Sequence, residues 1–365
     1  MTFARVFKHA VLRILKLAGF FRLGRFLTRR GLMIVCWHGV SLDNEQERFA
    51  DLFISVGSFR KRLEFLSKHY TVIDLDEAVR QHRAGRFRPR QVVLTFDDGY
   101  YNFAARAAPL LGEFGMTATV YLNTRLMDDQ EPAANLLLRD VALLASDQDV
   151  RLDGLNLPQP FLIASRMDRA RLTRLLMNEY ESLPPDNPAR LSFVVGVAAA
   201  LGVDVNRLIL SRTWHRMNVD EVREMDRRGF SIEPHGHRHL NVVDHPHETE
   251  QDVRACRERI RELTGKPAVH FCYPSARWNR QAWTSLQHAG IETATTLEEG
   301  PNYPQTPLLA LRRISNGESR NQLEFEFEMS NLKYLLRCLF RPAERYLPQE
   351  KVRASKTLEQ KALAR

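Results

Sequence analysis

The sequence predicts an α/β protein built on parallel strands, and three observations carry that expectation. Short apolar, β-branched runs stop abruptly at polar or small residues, most sharply in Val92-Val93-Leu94-Thr95-Phe96-Asp97-Asp98-Gly99. Such uniformly apolar runs suit strands buried on both faces. Helical patterns separate them, so successive strands pair in parallel through right-handed crossovers. Finally, 365 residues with ordinary apolar (44%) and charged (27%) fractions suffice for one α/β barrel with insertions, or for two smaller domains.

In chain order, Phe3, Val6, Phe7, Ala10, Val11, Ile14, Leu17, Ala18 and Phe21 recur at helical spacing, with Arg5, Lys8, Arg13 and Lys16 on the opposite arc. Residues 1–30 therefore read as a basic amphipathic helix, suited to an anionic membrane interface or to packing on the body. Leu32 to Val40 is a buried strand that ends in Trp37-His38-Gly39 and brings His38 toward the pocket mouth. Helix, strand and helix follow at Phe59–His69, Tyr70–Leu75 and Leu75–Gly85. Next come the Val92–Phe96 strand, a helix to about Gly115, and a strand at Thr117–Asn123.

The alternation pauses over residues 125–212, a mostly helical insertion with pieces at Asn135–Ala145, Asp168–Ser182 and Leu191–Leu201, broken by Pro158, Pro160, Pro184, Pro185 and Pro188. It resumes with helix Asn218–Arg228 and strand Phe230–Glu233, then helix Glu248–Leu263, closed by Gly265 and Pro267. Strand Val269–Tyr273, helix Arg280–His288 and strands at Ile291–Thr296 and Leu308–Ile314 complete the body. Leu323, Phe325 and Phe327 alternate like a strand, and Leu332–Phe340 is helical. The expected organisation is thus a basic segment 1–30, a body 31–320 and a basic extension 321–365.

Charge sits at the ends. Residues 1–30 carry eight Lys or Arg and no acid, and 331–365 carry nine against three acids, so the middle is net −5 within a total of +9. Both ends suit an anionic surface, while the absence of interleaved aromatic and basic residues argues against nucleic acid. Four widely spaced cysteines, Cys36, Cys256, Cys272 and Cys338, exclude a disulfide framework or a Cys-based zinc site and fit a reducing compartment. Arg13, Lys16, Arg22 and Arg25 interrupt the apolar start, so no secretory signal is expected. The expected location is cytoplasmic, peripheral on the inner face of a membrane.

Two neighbouring acids at a strand's carboxyl end sit where α/β folds build their sites. A lone Asp-Asp-Gly is also an ordinary helix-capping turn. Its functional weight comes from Pro234-His235-Gly236-His237-Arg238-His239, where two histidines four apart can face one ion if they share a helical turn, with Asp98 as a hard third ligand. Thr95-Phe96-Asp97-Asp98-Gly99 and His235-Gly236-His237-Arg238-His239 resemble the first two motifs of the polysaccharide deacetylase, or NodB-homology, family of carbohydrate esterases. Trp37-His38-Gly39 and Tyr273-Pro274 extend the similarity less sharply.

The resemblance implies a distorted (β/α)7 barrel, TIM-like, that hydrolyses an N-acyl group, acetyl or formyl, on an amino sugar. It assigns Asp98, His235 and His239 to one divalent metal ion and Asp97 to the base. Zinc is the default for that ligand set, with nickel, cobalt or iron able to occupy it. Water activated by the metal attacks the amide as Asp97 takes its proton, and the metal with backbone N–H groups around Tyr273 and Pro274 holds the oxyanion.

Many members carry an arginine two residues before the third-motif proline, where this chain has Cys272, leaving Arg277 or Arg313 to orient Asp97. No histidine stands in Leu311-Arg312-Arg313-Ile314 to serve as general acid, so His237 and His38 are the candidates for that role. A glycan or lipid-linked glycan precursor is the expected substrate. The competing functions are a catalytically impaired glycan-binding protein and, with too few carboxylates for a two-metal site, a metal phosphoesterase.

Overall fold

The computed structural model describes residues 3–152, 160–184, 187–341 and 350. Eight short strands organise the body: β1 (Met33–Trp37), β2 (Thr71–Val72), β3 (Gln91–Phe96), β4 (Thr119–Leu122), β5 (Ser231–Pro234), β6 (His270–Cys272), β7 (Thr293–Thr295) and β8 (Ile314–Ser315). The main sheet runs β8-β1-β3-β4-β5, with β2 also on β3, and every pairing in it is parallel. The register sets Val35 beside Leu94, Thr95 beside Thr119, and Tyr121 beside Glu233.

β6 and β7 pair separately, also in parallel, and Thr295 bridges Leu311 just before β8. Between β5 and β6 a side chain replaces the backbone ladder: the Glu233 carboxylate accepts from the His270 N–H at 2.8 Å. The parallel α/β architecture is therefore as expected. Parallel strands put every carboxyl end on one side, so the residues following β1, β3, β5 and β6 gather there.

Burial explains why these runs are strands. β1 and β3 are buried along their whole length, one face against the sheet interior and the other against helices. Trp37, Phe59, Phe96, Phe103 and Phe230 interlock edge-on and offset on that second face. The insertion packs into a second core, in which Leu137, Val141, Leu172, Leu176 and Val194 join Trp214 and the body residues Phe49, Phe53 and Tyr100.

Four details differ from the sequence reading. The amino-terminal segment forms two helices, Phe3–Leu17 and Phe20–Leu27, because Gly19 adopts a left-handed conformation (φ 82°) between them. The insertion holds the expected helices, at Ala134–Leu144, Arg166–Ser182 and Asn187–Ala200, but also an antiparallel pair, Gln148–Val150 with Phe161–Ile163, too short to show a strand period. The alternating Leu323, Phe325 and Phe327 lie on a helix, Gln322–Met329, whose start is set by a reciprocal Asn321–Glu324 capping box. Phe325 and Met329 enter the main core. Of the segment Leu308–Ile314, Leu308–Ala310 is a tight helical turn and only β8 pairs. The carboxyl-terminal segment beyond residue 341, apart from residue 350, lies outside the described residues.

Candidate active site

The strand β3 ends by placing two carboxylates in different directions. Asp97 still belongs to the sheet, its N–H donating to the Trp37 carbonyl at 2.8 Å. Asp98 and Gly99 then take left-handed backbone, φ 70° and 66°. A non-glycine residue there costs on the order of 1–2 kcal/mol, so the turn is held by its surroundings. A side chain at position 99 would collide with Leu122, which explains the glycine.

The turn carries Asp98 toward the loop that follows β5. His235 and His239 lie on that loop, not on a helical turn as the spacing suggested: Gly236 (φ 88°) and His239 (φ 60°) both break helical geometry. Asp252 holds the loop instead, accepting from the backbone N–H and the Nε of Arg238 at 3.0 Å each. His235 Nδ1 lies 2.9 Å from the Cys272 carbonyl, so Nδ1 donates there and Nε2 is left with its lone pair free.

The two imidazole Nε2 atoms lie 3.5 Å (His235) and 3.4 Å (His239) from Asp98 Oδ1, and the ligand atoms of all three residues fall within 4.8 Å of one another. Those separations are long for hydrogen bonds. They match roughly the 3.4 Å that separates two ligands placed tetrahedrally about one ion at bonds of about 2.0–2.2 Å, so the donor set fits a divalent cation. Burial lowers the pKa of both histidines, that of His239 to about 4, and keeps them neutral as ligands must be. For Asp98 burial acts upward, but Arg216 first and then the histidines outweigh it, leaving a pKa of about 2.

Asp97 sits beside this triad in a different environment. The Arg313 guanidinium grips it in a fork, Nη1 to Oδ1 at 2.6 Å and Nη2 to Oδ2 at 2.9 Å, with side chains only 1% and 5% exposed. The thiols of Cys36 and Cys272 also donate to Oδ2, at 3.3 and 3.5 Å. Burial raises both thiol pKa values well above normal, so they are protonated donors. Burial works against the charge on Asp97, yet Arg313 holds its pKa well below the ordinary carboxylate range. Among the described residues Oδ1 accepts from Arg313 alone and keeps a lone-pair direction for a further proton.

The remaining candidates separate clearly. Arg277 forms a surface pair with Asp244, so Arg313 alone of the two meets Asp97. His38 is half-buried within electrostatic reach of both Asp97 and Asp98, and its Nδ1 has no partner among the described residues. His237 is turned to the Thr124 hydroxyl at 2.9 Å. Tyr273 is a core residue: its hydroxyl donates to the Leu309 carbonyl, its ring stacks on Trp278, and its N–H is engaged by the Thr295 carbonyl. Pro274 has no N–H, so neither residue offers the oxyanion donor expected of them.

Sequence reasoning missed Arg216. It returns from the insertion in Thr213-Trp214-His215-Arg216, bridges Tyr100 across an antiparallel contact, and is 5% exposed, with no hydrogen-bond partner for Nε or Nη1 among the described residues. Its guanidinium lies 3.9 Å from the Tyr100 ring centroid. The signal available was a Trp-His-Arg cluster between two helices.

The parallel α/β fold thus brings one carboxylate and two imidazoles together at its strand ends, a donor set that could hold a cation, beside a clamped second carboxylate. The polysaccharide deacetylase family profile matches residues 84–146 and 196–294, leaving out most of the insertion, and the chain belongs to that family. A poly-β-1,6-N-acetyl-D-glucosamine N-deacetylase of Escherichia coli is 31% identical over 86 residues, which are 23% of this chain and only 12% of that relative. Among solved structures, a Streptococcus pyogenes deacetylase in complex with acetate is similar with a TM-score of 0.54 and 16% identity, covering 82% of this chain and 98% of that one. A polysaccharide deacetylase from Bacillus cereus matches with a TM-score of 0.50 and 15% identity over 82% and 69% of the two chains. At these identities the structural likeness speaks for the fold.

Proposed function

We propose that the chain is a metal-dependent N-deacylase that removes an acetyl or formyl group from an amino sugar of a glycan or a lipid-linked glycan precursor. The observation that carries this reading is the meeting of two groups, the Asp98–His235–His239 triad and the Arg313-clamped Asp97, at the carboxyl ends of the strands. The chemistry that a divalent cation, zinc as the default, would supply when bound is activation of a water and polarisation of the amide carbonyl. Asp98, His235 and His239 would hold it, with His235 oriented by the Cys272 carbonyl. Asp97 accepts the water's proton through Oδ1, and Arg313 keeps that carboxylate ionised and fixed. His38, within electrostatic reach of both acids and with no partner for Nδ1 among the described residues, is the residue we assign to return a proton to the leaving amine.

The sheet arc, the β6–β7 pair and the Thr295–Leu311 bridge support reading the body as a distorted (β/α)7 barrel. We take residues 31–320 as that body, 125–212 as an insertion over the site, and 1–30 and 321–365 as basic ends. A cytoplasmic location belongs to the same reading.

The test is acyl release by the purified, metal-replete protein from N-acetylated and N-formylated glucosamine oligomers, with and without a chelator. Acetate or formate release that stops on chelation and returns with zinc is the expected result. A protein that binds zinc and glycan but releases neither acid from any substrate is a glycan-binding protein, and the reading fails.

A further inference from the structure

The opposite end of the sheet carries a feature that the site does not use. A cavity of about 310 Å³ lies among Arg22, Arg25, Arg29, Arg90, His69 and Tyr70, and its wall includes Met33, where β1 begins. Arg90 immediately precedes β3 and Asp97 follows it, so at about 3.3 Å per residue the cavity and the site are roughly 20 Å apart.

Four guanidinium groups gather there, and among the described residues no carboxylate pairs with any of them. Arg29 donates to the Phe26 carbonyl, and Arg25 lies over the Phe65 ring. Glu326, the acid that Arg25 feels, is bound by Lys16. Burial, and then the neighbouring arginines, push down the pKa of His69. Clustered cations without a counter-ion make a site that favours an anion.

Among the described residues the helices around this end each bury one anchor, Leu12, Phe21 or Tyr334, and leave several large apolar side chains in solvent. Helix Phe3–Leu17 docks through Leu12 and through polar contacts beside it, Lys8 to Glu324 at 2.6 Å and Lys16 to Glu326 at 2.5 Å, with His9 against Asn321. Much of its apolar side faces out, with Phe7 63%, Ile14 65% and Leu17 88% exposed. A helix serving only to cover the body buries that side. The neighbouring helix Phe20–Leu27, which carries Arg22 and Arg25, likewise exposes Phe20, Leu23, Phe26 and Leu27. Helix Leu332–Phe340, packed on it, adds exposed Leu336, Leu339 and Phe340. No helix among the described residues is long and apolar enough to cross a membrane.

We propose that this end docks on an anionic phospholipid bilayer, the exposed apolar side chains entering the headgroup boundary and a lipid phosphate seated among Arg22, Arg25, Arg29 and Arg90. Charge selects this occupant. A second copy brings the same cations to the same surface, and the chain's own residues 342–365 hold more Lys and Arg than acids. A bilayer supplies both the apolar boundary and the phosphate. Docked this way, the protein turns Asp97 and Asp98 away from the lipid surface, and the lipid in the cavity is an anchor, not the reacting sugar carrier. The proposal stands on the fold alone and does not depend on the reaction.

The test is flotation of the full chain with vesicles of phosphatidylcholine alone and of phosphatidylcholine mixed with phosphatidylglycerol. Binding to the mixed vesicles only, weakened by salt, is expected. The Arg22→Glu/Arg90→Glu variant should lose at least about tenfold in partitioning, and so should Leu23→Ser/Phe26→Ser. All four side chains are exposed, so an unchanged Tm verifies folding. Equal binding to both vesicle types, or charge reversal without effect, overturns the proposal. So does a lipid-free dimer that the Leu23→Ser/Phe26→Ser change dissolves, which gives the surface to a second copy. Inorganic phosphate that raises the Tm of a protein that never floats assigns the cavity to a free anion instead.

Discussion

The two ends of one parallel sheet treat charge in opposite ways. At the carboxyl ends, Asp97 is gripped by Arg313 and two thiols, and Asp98 faces two neutral histidines and Arg216, so burial is offset within the fold. At the amino ends, four arginines share a cavity with no acid among the described residues to answer them. A group whose charge is settled internally is held rigidly and ready to act on a substrate. A group whose charge is left open is completed from outside.

That contrast can be broken at its strongest point first. Asp97→Asn should lower acyl release by about 10²–10⁴-fold while bound zinc, measured by elemental analysis, stays at the wild-type level. Asp98→Asn should behave differently, losing zinc and activity together; retention of a full equivalent of metal would show that the triad is not its seat.

Arg313→Met leaves Asp97 buried and without its cation, which should cost about 3–5 kcal/mol in urea denaturation. Adding Asp97→Asn should recover part of that loss, since the uncompensated charge is gone. A single Arg313→Met variant as stable as wild type would mean that the fork contributes nothing to holding the site.

A smaller effect separates the ends by pH. The folded pKa of His239, about 4, lies below its unfolded value of 6.5, so between the two the unfolded chain binds the extra proton. The stability it contributes is complete above 6.5 and declines as pH falls toward 4; Asp98, lowered to about 2 from 3.8, adds a loss in the same direction at still lower pH. The metal-free protein should therefore unfold at lower urea at about pH 5 than at about pH 7, and His239→Gln should flatten that slope. At the amino end Arg22→Gln should change stability by no more than about 0.5 kcal/mol, on the stabilising side, because it removes a like charge from an exposed position. A large destabilisation there would reveal an internal counter-ion.

Much of this could be read from the chain. The apolar runs at Ile34–Trp37 and Val92–Phe96 announced buried parallel strands, and Asp97, Asp98, His235 and His239 stood out because their motifs are local and chemically unusual. Less legible was anything that depends on direction. The spacing of His235 and His239 implied a helical turn, but Gly236 and a left-handed His239 make it a loop anchored by Asp252. Leu323, Phe325 and Phe327 alternate, yet the Asn321–Glu324 box starts a helix, because a cap that satisfies free N–H groups outweighs a three-residue coincidence of period.

The sequence by itself determined the α/β architecture, the two motifs and the basic ends, since each is written in the spacing of neighbouring residues. Only the tertiary structure decided that Arg313 and not Arg277 meets Asp97, that Cys36 and Cys272 flank it, and that Arg216 returns from the insertion beside Asp98. It also decided which side of the Phe3–Leu17 helix faces out, because Glu324 and Glu326 lie more than 300 residues away and claim its lysines. Partners brought together by folding across such distances leave no periodic trace in either segment, so no local pattern contains them.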